Sequence, residues 1–213
     1  MRDAGRFIVL EGGEGVGKTT QAALLSSWME ALGVPHVLTR EPGGTPVGEA
    51  IREVVLGRTD LEMPPESELL LILAARAAFV RDVVRPALAA GKVVLADRFA
   101  LSTLAYQGYA RGIDLQDVRD GLRIATGGLS PDLYLVLDLP PEEGTARQQR
   151  DGMAPDRIEQ EGASFLRRVS EAYIALSESE PGVTVVSARG APEVVQARLR
   201  EALVRRFPET FGA

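Results

Sequence analysis

Cysteine is absent from this 213-residue chain, and so is asparagine. The first absence excludes a disulfide framework and any thiolate-ligated zinc. The second excludes an Asn-Lys-x-Asp guanine reader, and with it the GTPase reading of any phosphate-binding loop. Lysine is nearly missing: of 24 basic residues only Lys18 and Lys92 are lysine, and the rest are arginine. There is one histidine, His36, which follows Pro35 at a strand start and reads as structural, and one tryptophan, Trp28, which reads as core or interface. No apolar run approaches the ~20 residues that a membrane span needs. Met1 to Leu10 carries Asp3 and only a short apolar stretch, so no signal peptide is expected. The net charge of −6 argues against broad nucleic-acid or anionic-membrane partners. A soluble cytoplasmic protein is the expectation.

What is present is an ordinary globular composition, 45% hydrophobic and 25% charged. Short apolar runs alternate with stretches of helical period, which predicts an α/β fold with a parallel sheet. Strands are expected at Phe7–Leu10, His36–Thr39, Val93–Ala96, Leu133–Leu137 and Val183–Val186. Helices are expected at Thr20–Leu32, Pro46–Leu56, Glu66–Ala90, Ser102–Tyr106, Leu115–Ala125, Pro141–Arg150, Ile158–Ser177 and Pro192–Arg206. Asp151–Asp156, with Gly and Pro, reads as a loop. The result is one domain over residues 1–213, a five-stranded parallel sheet with helices on both faces.

After the first strand the chain reads Gly12-Gly13-Glu14-Gly15-Val16-Gly17-Lys18-Thr19, a Walker A pattern in its required strand–loop–helix setting. Glycines let successive N–H groups turn inward around a β-phosphate, and the following helix adds its N-terminal dipole. Lys18 neutralises phosphate oxygens and Thr19 ligates Mg²⁺. The chain is therefore expected to bind ATP through Gly12, Gly13, Glu14, Gly15, Val16, Gly17, Lys18, Thr19 and Thr20, on a P-loop NTPase fold. Asp97 ends the run Val93–Ala96, where a Walker B aspartate orients the metal or its waters, although many strands end in Asp as a turn or cap.

A small P-loop enzyme of this length suggests a kinase of a small molecule, and such a kinase needs a second anion site with cationic groups between the two. Arg40 ends the second strand and Arg98 follows Asp97, both at the carboxyl edge of the sheet, where ligands bind in open α/β folds. Arg76 lies in the otherwise apolar stretch Leu69–Val80, on the face of Ile72. It requires either a salt-bridge partner or a ligand.

These residues fall into a larger pattern. Glu14 in the loop, Thr39-Arg40-Glu41-Pro42-Gly43-Gly44, Ala74-Ala75-Arg76, Asp97-Arg98-Phe99, Ser102-Thr103-Leu104-Ala105-Tyr106-Gln107-Gly108 and Asp156-Arg157-Ile158-Glu159 together closely resemble the bacterial thymidylate kinases, from Phe7 to about Tyr173. The resemblance implies phosphorylation of dTMP to dTDP by ATP and Mg²⁺. Glu14 would face the sugar 3′-hydroxyl, and Arg40, Arg52 and Arg98 would hold the monophosphate. Pro42 and Leu56 would form apolar walls, Arg76 would donate to the base carbonyl, and Thr103 and Gln107 would read the pyrimidine edge. Tyr106 would lie against the sugar and disfavour a 2′-hydroxyl. The family usually carries Phe where this chain has Ile72, which lacks an aromatic stacking contribution of ~1–3 kcal/mol.

The segment at about 147–158 resembles the family's lid. Because Gly15 and Val16 follow Glu14, the loop supplies no transition-state arginine, and the lid candidates are Arg150, then Arg147, with Arg157 positional. Family members are homodimers, and the long helix 66–90 offers an apolar face for that. The competing expectations are a kinase of another pyrimidine monophosphate and a non-catalytic nucleotide sensor.

Overall fold

A computed structural model describes residues 5–150 and 156–212. Five strands form one parallel sheet: β1 (Arg6–Gly12), β2 (His36–Arg40), β3 (Val93–Asp97), β4 (Leu133–Asp138) and β5 (Val183–Ser187), in the order β2-β3-β1-β4-β5. Each expected strand is present, most extended by one or two residues. Side chains alternate across a strand, and the two faces of the sheet build separate cores. Phe7 and Val9 of β1 join Val94, Ala96, Tyr134 and Val136 in one core. Ile8 and Leu10 join Leu95, Leu133, Leu135 and Leu137 in the other.

The second core is closed by α1 (Lys18–Ala31), α9 (Pro192–Arg206) and the short α10 (Pro208–Phe211). The first is closed by α3 (Pro65–Phe79), α5 (Ala100–Thr103), α6 (Leu115–Thr126) and α8 (Ala163–Ser179). The remaining helices are α2 (Pro46–Arg52), α4 (Arg85–Ala89) and α7 (Pro141–Arg150). Among the described residues no helix is long and apolar enough to cross a membrane.

Several helical expectations change in detail: the helix expected over Pro46–Leu56 is α2 followed by a π-turn at Glu53–Gly57, and the one expected over Ile158–Ser177 begins as α8 at Ala163, after a 3₁₀ turn at Glu159–Glu161. The helix expected over Glu66–Ala90 runs from Pro65 to Ala89 but widens into a π-turn at Val80–Val84 between α3 and α4. Pro86 explains this: it lacks an N–H, and its ring crowds the carbonyl four residues earlier, at Asp82. The helix expected over Ser102–Tyr106 is α5 followed by another π-turn at Leu104–Ala110, with Arg111 N donating to Tyr106 O at 2.9 Å. The widened turn carries Tyr106 and Gln107.

The register sets the stage for the site. Leu10 of β1 and Arg40 of β2 both pair with Asp97 of β3, so β2 and β3 end level while β1 runs on to Gly12, where the loop begins. Glu41 N donates to Asp97 O and Arg98 N donates to Leu10 O, each at 2.9 Å, which locks those ends together. The connections from β1 and β3 leave toward opposite faces of the sheet, and the crevice between them is where an open α/β sheet binds ligands.

Candidate active site

The loop after β1 passes through Gly15 (φ 67°) and Gly17 (φ 94°), a conformation that favours glycine. Helix α1 begins directly at Lys18, earlier than the sequence reading at Thr20. Lys18 Nζ donates to Gly12 O at 3.2 Å and Gly13 O at 2.7 Å, and lies 4.0 Å from Glu14 Oε2. Thr19 Oγ1 donates to Asp97 Oδ2 at 3.1 Å. A Cβ at Gly15 would collide with the Gly144 carbonyl, and one at Gly144 with the Glu14 carbonyl. The P-loop and α7 therefore touch backbone to backbone.

The loop opens on a cavity of about 1020 Å³ that holds both halves of the expected site. Glu14 through Thr20 line one side. Arg40, Pro42, Arg52, Leu56, Ile72, Arg76, Arg98, Thr103, Tyr106 and Gln107 line the other, and Arg147 and Arg150 border it. Gly12 and Gly13 stand behind the loop as the acceptors for Lys18.

Arg98 is the hub. It adopts φ 77°, rare for a residue with a side chain, and its guanidinium donates to Gly12 O, Ser102 Oγ and Tyr173 OH, each at 3.2 Å, and to Tyr106 OH at 3.1 Å. It also pairs closely with Glu14, whose Oε1 accepts from Tyr106 OH at 2.7 Å. Burial pushes the Glu14 carboxyl up, but Arg98 and Lys18 outweigh it and hold it at about 2. Burial draws the Arg52 guanidinium down, and the neighbouring Arg40 and Arg98 draw it down further. Three like charges converging on one wall of a cavity are stabilised by an anion placed among them. Arg40 is tied to Glu49 at 2.9 Å and Arg52 to Pro42 O at 3.0 Å, so both forks are preset.

Deeper in, Arg76 is 2% exposed. It is salt-bridged, and it also lines the cavity. Its Nε and Nη2 each lie 2.7 Å from Glu41 Oε2, Nη1 donates to Thr103 Oγ1 at 2.6 Å, and Nη2 donates to Phe99 O at 3.0 Å. The guanidinium also lies 5.0 Å from the Phe99 ring centroid. Phe99 packs behind the arginine, while Ile72 is the side chain that faces the cavity one turn earlier.

Arg157 is the lid arginine expected to be positional. It does not line the cavity: it is buried, donating through Nε to Val55 O at 2.7 Å and pairing with Glu68. The reason is tertiary, since a buried carboxylate on α3 captures it. Arg147 donates to Ala188 O at 3.0 Å, whereas Arg150 is exposed and, among the described residues, donates to Ala146 O within its own helix, at 3.3 Å. Residues 151–155 of the expected lid and loop lie outside the described residues.

Sequence reasoning missed a set of buried carboxylates. Glu11 shares the core-facing side of Phe7 and Val9, and accepts from Phe99 N (2.8 Å), Ser102 N (3.2 Å), Ser102 Oγ (2.6 Å) and Tyr173 OH (2.9 Å). It thereby caps α5, which has no cap of its own. Its position in an otherwise apolar strand was the available signal. Glu41 was visible only as part of a motif, and Glu68 gave no signal at all. Asp156 lines the cavity and caps the turn that follows, accepting from Ile158 N and Glu159 N at 2.9 Å.

For Mg²⁺, Thr19 and Asp97 present two hard oxygen ligands at the mouth of the loop, as the ion prefers. Among the described residues there is no cluster of three or more acidic, His or Cys side chains that could hold a metal. The residues thus fit an ion carried mainly by phosphate oxygens.

Comparison with known proteins agrees with this geometry. A family model described as "Thymidylate kinase" matches residues 10–199. A thymidylate kinase of Synechococcus sp. (strain JA-2-3B'a(2-13)) is 52% identical over 203 residues, covering 95% of this chain and 96% of that one. One from Desulforudis audaxviator is 47% identical over 215 residues, covering 98% and 96%. The crystal structure of thymidylate kinase from Ehrlichia chaffeensis superposes with a TM-score of 0.75 at 30% identity, over 94% of this chain and 99% of that one.

The buried carboxylates predict an unusual stability profile. Burial raises Glu41 to about 6, against the lowering influence of Arg76, and its Oε1 has no partner among the described residues. A carboxyl raised from 4.5 to about 6 binds its proton more tightly when folded. It therefore costs stability above pH 6, and that cost disappears as pH falls toward 4.5, an effect of about 2 kcal/mol. Chemical denaturation at pH 7, 6 and 5 should show stability rising as pH falls, and Glu41→Gln should flatten that rise. Identical slopes in both proteins would contradict the assignment.

Proposed function

Because the chain belongs to the thymidylate kinase family and transfers a phosphoryl group from ATP to dTMP, we propose that the cavity performs this transfer with Mg²⁺ and with the residue roles that follow. The observation that carries the reading is the single cavity lined by both the P-loop and the Arg40–Arg52–Arg98 wall.

ATP is held with its β-phosphate in the loop amides and Lys18 on the β- and γ-oxygens. Arg40, Arg52 and Arg98 grip the dTMP phosphate, bringing one of its oxygens in line with the γ-phosphorus. A bond forms from that oxygen to phosphorus as the bond to the ADP oxygen breaks. No base is required, since the attacking oxygen is already anionic. Thr19 and Asp97 would hold Mg²⁺, which offsets charge on the β- and γ-oxygens. Catalysis is alignment plus charge compensation. Arg150, whose guanidinium donates to Ala146 O of its own helix, reaches the γ-phosphoryl group on closure of the segment 147–158. Arg147 supports it from its anchor on Ala188.

The acceptor end reads a pyrimidine-dione. Arg76 Nη1 keeps one N–H beyond the bond to Thr103, suited to the 4-carbonyl. Gln107 presents its amide beside it. Pro42, Leu56 and Ile72 enclose the ring. Tyr106, its hydroxyl pinned by Glu14 and Arg98, lies where a 2′-hydroxyl would project, and Glu14 faces the 3′-hydroxyl.

The same reading extends to partners. On α3, Leu70 is 66% exposed, and on α6, Ile124 is 75% exposed. Such apolar side chains on neighbouring helices suit a homodimer interface. ATP-dependent nucleotide synthesis suits the cytoplasm.

A coupled ADP-release assay with dTMP, dUMP, dCMP, UMP, AMP and GMP should show turnover concentrated on dTMP, with UMP and dCMP poor. Equal turnover on all of them, or none on dTMP, would overturn the reading. Arg150→Ala should lower kcat by about 10³ or more while ATP affinity is retained; near-normal turnover would remove Arg150 from its role. Light scattering should give a dimer mass for the native chain and a monomer for Leu70→Arg. A native monomer at micromolar concentration would exclude the dimer.

A further inference from the structure

One buried carboxylate stands just behind the base-reading wall and takes no part in the mechanism. Glu68, on α3, is 0% exposed and does not line the cavity. Its Oε1 accepts from Gln107 Nε2 at 2.9 Å and from Arg111 Nε at 3.2 Å. Its Oε2 accepts from Arg111 Nη2 at 3.0 Å and pairs closely with Arg157. Arg111 continues to Glu161 at 2.6 Å and lies 4.9 Å from the Phe165 ring centroid. Arg157 continues to Val55 O. Glu68 therefore joins α3, the π-turn that carries Gln107, and the segment that re-enters the fold after the lid. Burial raises its carboxyl, but the hydrogen bonds from Arg111, Arg157 and Gln107 outweigh that and lower it, so it stays ionised.

An ionised carboxylate only accepts. A primary amide has one accepting end and one donating end, and the end turned to Glu68 must be the donor. The other end, Gln107 Oε1, accepts no hydrogen bond among the described residues, and Gln107 lines the cavity. We propose that Glu68 is a positioning residue for base specificity: by accepting from Gln107 Nε2 it fixes the amide with its oxygen toward the substrate. The cavity then offers a donor (Arg76) beside an acceptor (Gln107). That pair matches the carbonyl and adjacent ring N–H of a pyrimidine-dione. It opposes a 4-aminopyrimidine, which has a donor and a lone pair at those places. A reversed amide would face the substrate N–H with its own N–H and would instead match the ring lone pair of the amino form, so discrimination would weaken. The inference rests on the proposed reading of the base edge by Arg76 and Gln107, and goes beyond it by assigning the source of polarity to a residue that does not touch substrate.

The test is kcat/KM for dTMP and for dCMP, measured in parallel with the melting temperature and KM for ATP. In Glu68→Gln the new amide can donate or accept, so Gln107 is free to turn. The dTMP-to-dCMP ratio should fall by about tenfold or more, mainly through KM for dTMP, with KM for ATP unchanged. Glu68→Asp keeps the charge for the two flexible arginines but withdraws it from Gln107 by one methylene. It should fold even where Glu68→Gln does not, and should also lower the ratio. In Glu68→Gln/Gln107→Glu, residue 107 can only accept toward the cavity, so the ratio should recover. A loss of stability with both substrates affected equally, in Glu68→Gln or Glu68→Asp, would overturn the proposal, because a purely structural brace predicts that result. Gln107→Met separates the two levels: if it leaves the ratio intact, the base-edge reading itself fails. If Gln107→Met collapses the ratio while the Glu68 variants do not, only the role of Glu68 fails.

Discussion

The ion pair between Glu14 and Arg98 is the constraint on which the rest of the site depends. It joins the P-loop to the first residue after β3, across the crevice that the sheet opens between β1 and β3. Arg98 reaches it only because its backbone adopts φ 77° and its N–H is anchored to Leu10 O, so the strand end itself aims the side chain. Once placed, the pair fixes Tyr106 through both partners and leaves Lys18 at the edge of the same charge system. On the proposed reading, the P-loop side and the arginine wall of the cavity, which this pair joins, would be held at a set separation before either nucleotide arrives. That is the condition under which fixed charges lower a phosphoryl-transfer barrier without reorganising.

A second layer of carboxylates stands behind the arginines. Glu41 holds Arg76, Glu11 holds Ser102 and Tyr173 beneath Arg98, and Glu68 holds Gln107. Burying such groups is unfavourable, and replacing a buried ion pair with apolar side chains often leaves a protein equally stable or more so. Their use here is directional. An arginine or an amide in a cavity can serve a specific ligand edge only if its unused donors and acceptors are committed elsewhere, and a buried carboxylate commits them. The raised pKa of Glu41 and its unpartnered Oε1 mark where that direction costs stability.

The helical widenings follow the same logic. The π-turn at Leu104–Ala110 places Tyr106 and Gln107 on the cavity side while α5 stays tied to Glu11. Insertion of one residue into a helical turn rotates the side chains that follow, and such turns recur at functional sites. The π-turn at Val80–Val84 has the simpler cause of Pro86 and lies away from the cavity.

Much of this was legible in the chain alone. The apolar runs and their glycine and proline boundaries determined five parallel strands: β1, β3 and β4 are buried on both faces and leave a local hydrophobic signature, and the edge strands β2 and β5 keep short apolar runs although they are more exposed. The P-loop and the arginines at strand ends were equally readable, since their spacing is local to one turn or one strand terminus. Tertiary structure alone decided which charges met. Arg157 reads in sequence as a positional arginine of the lid segment, but its partner Glu68 lies 89 residues away in the chain. Glu11 reads as an oddity in an apolar strand, yet it caps a helix 88 residues later. Hydrogen-bond partners at such separations are set by how strands and helices are layered rather than by any local pattern, so the orientation of Arg76, Gln107 and Arg98 became visible only in the folded molecule.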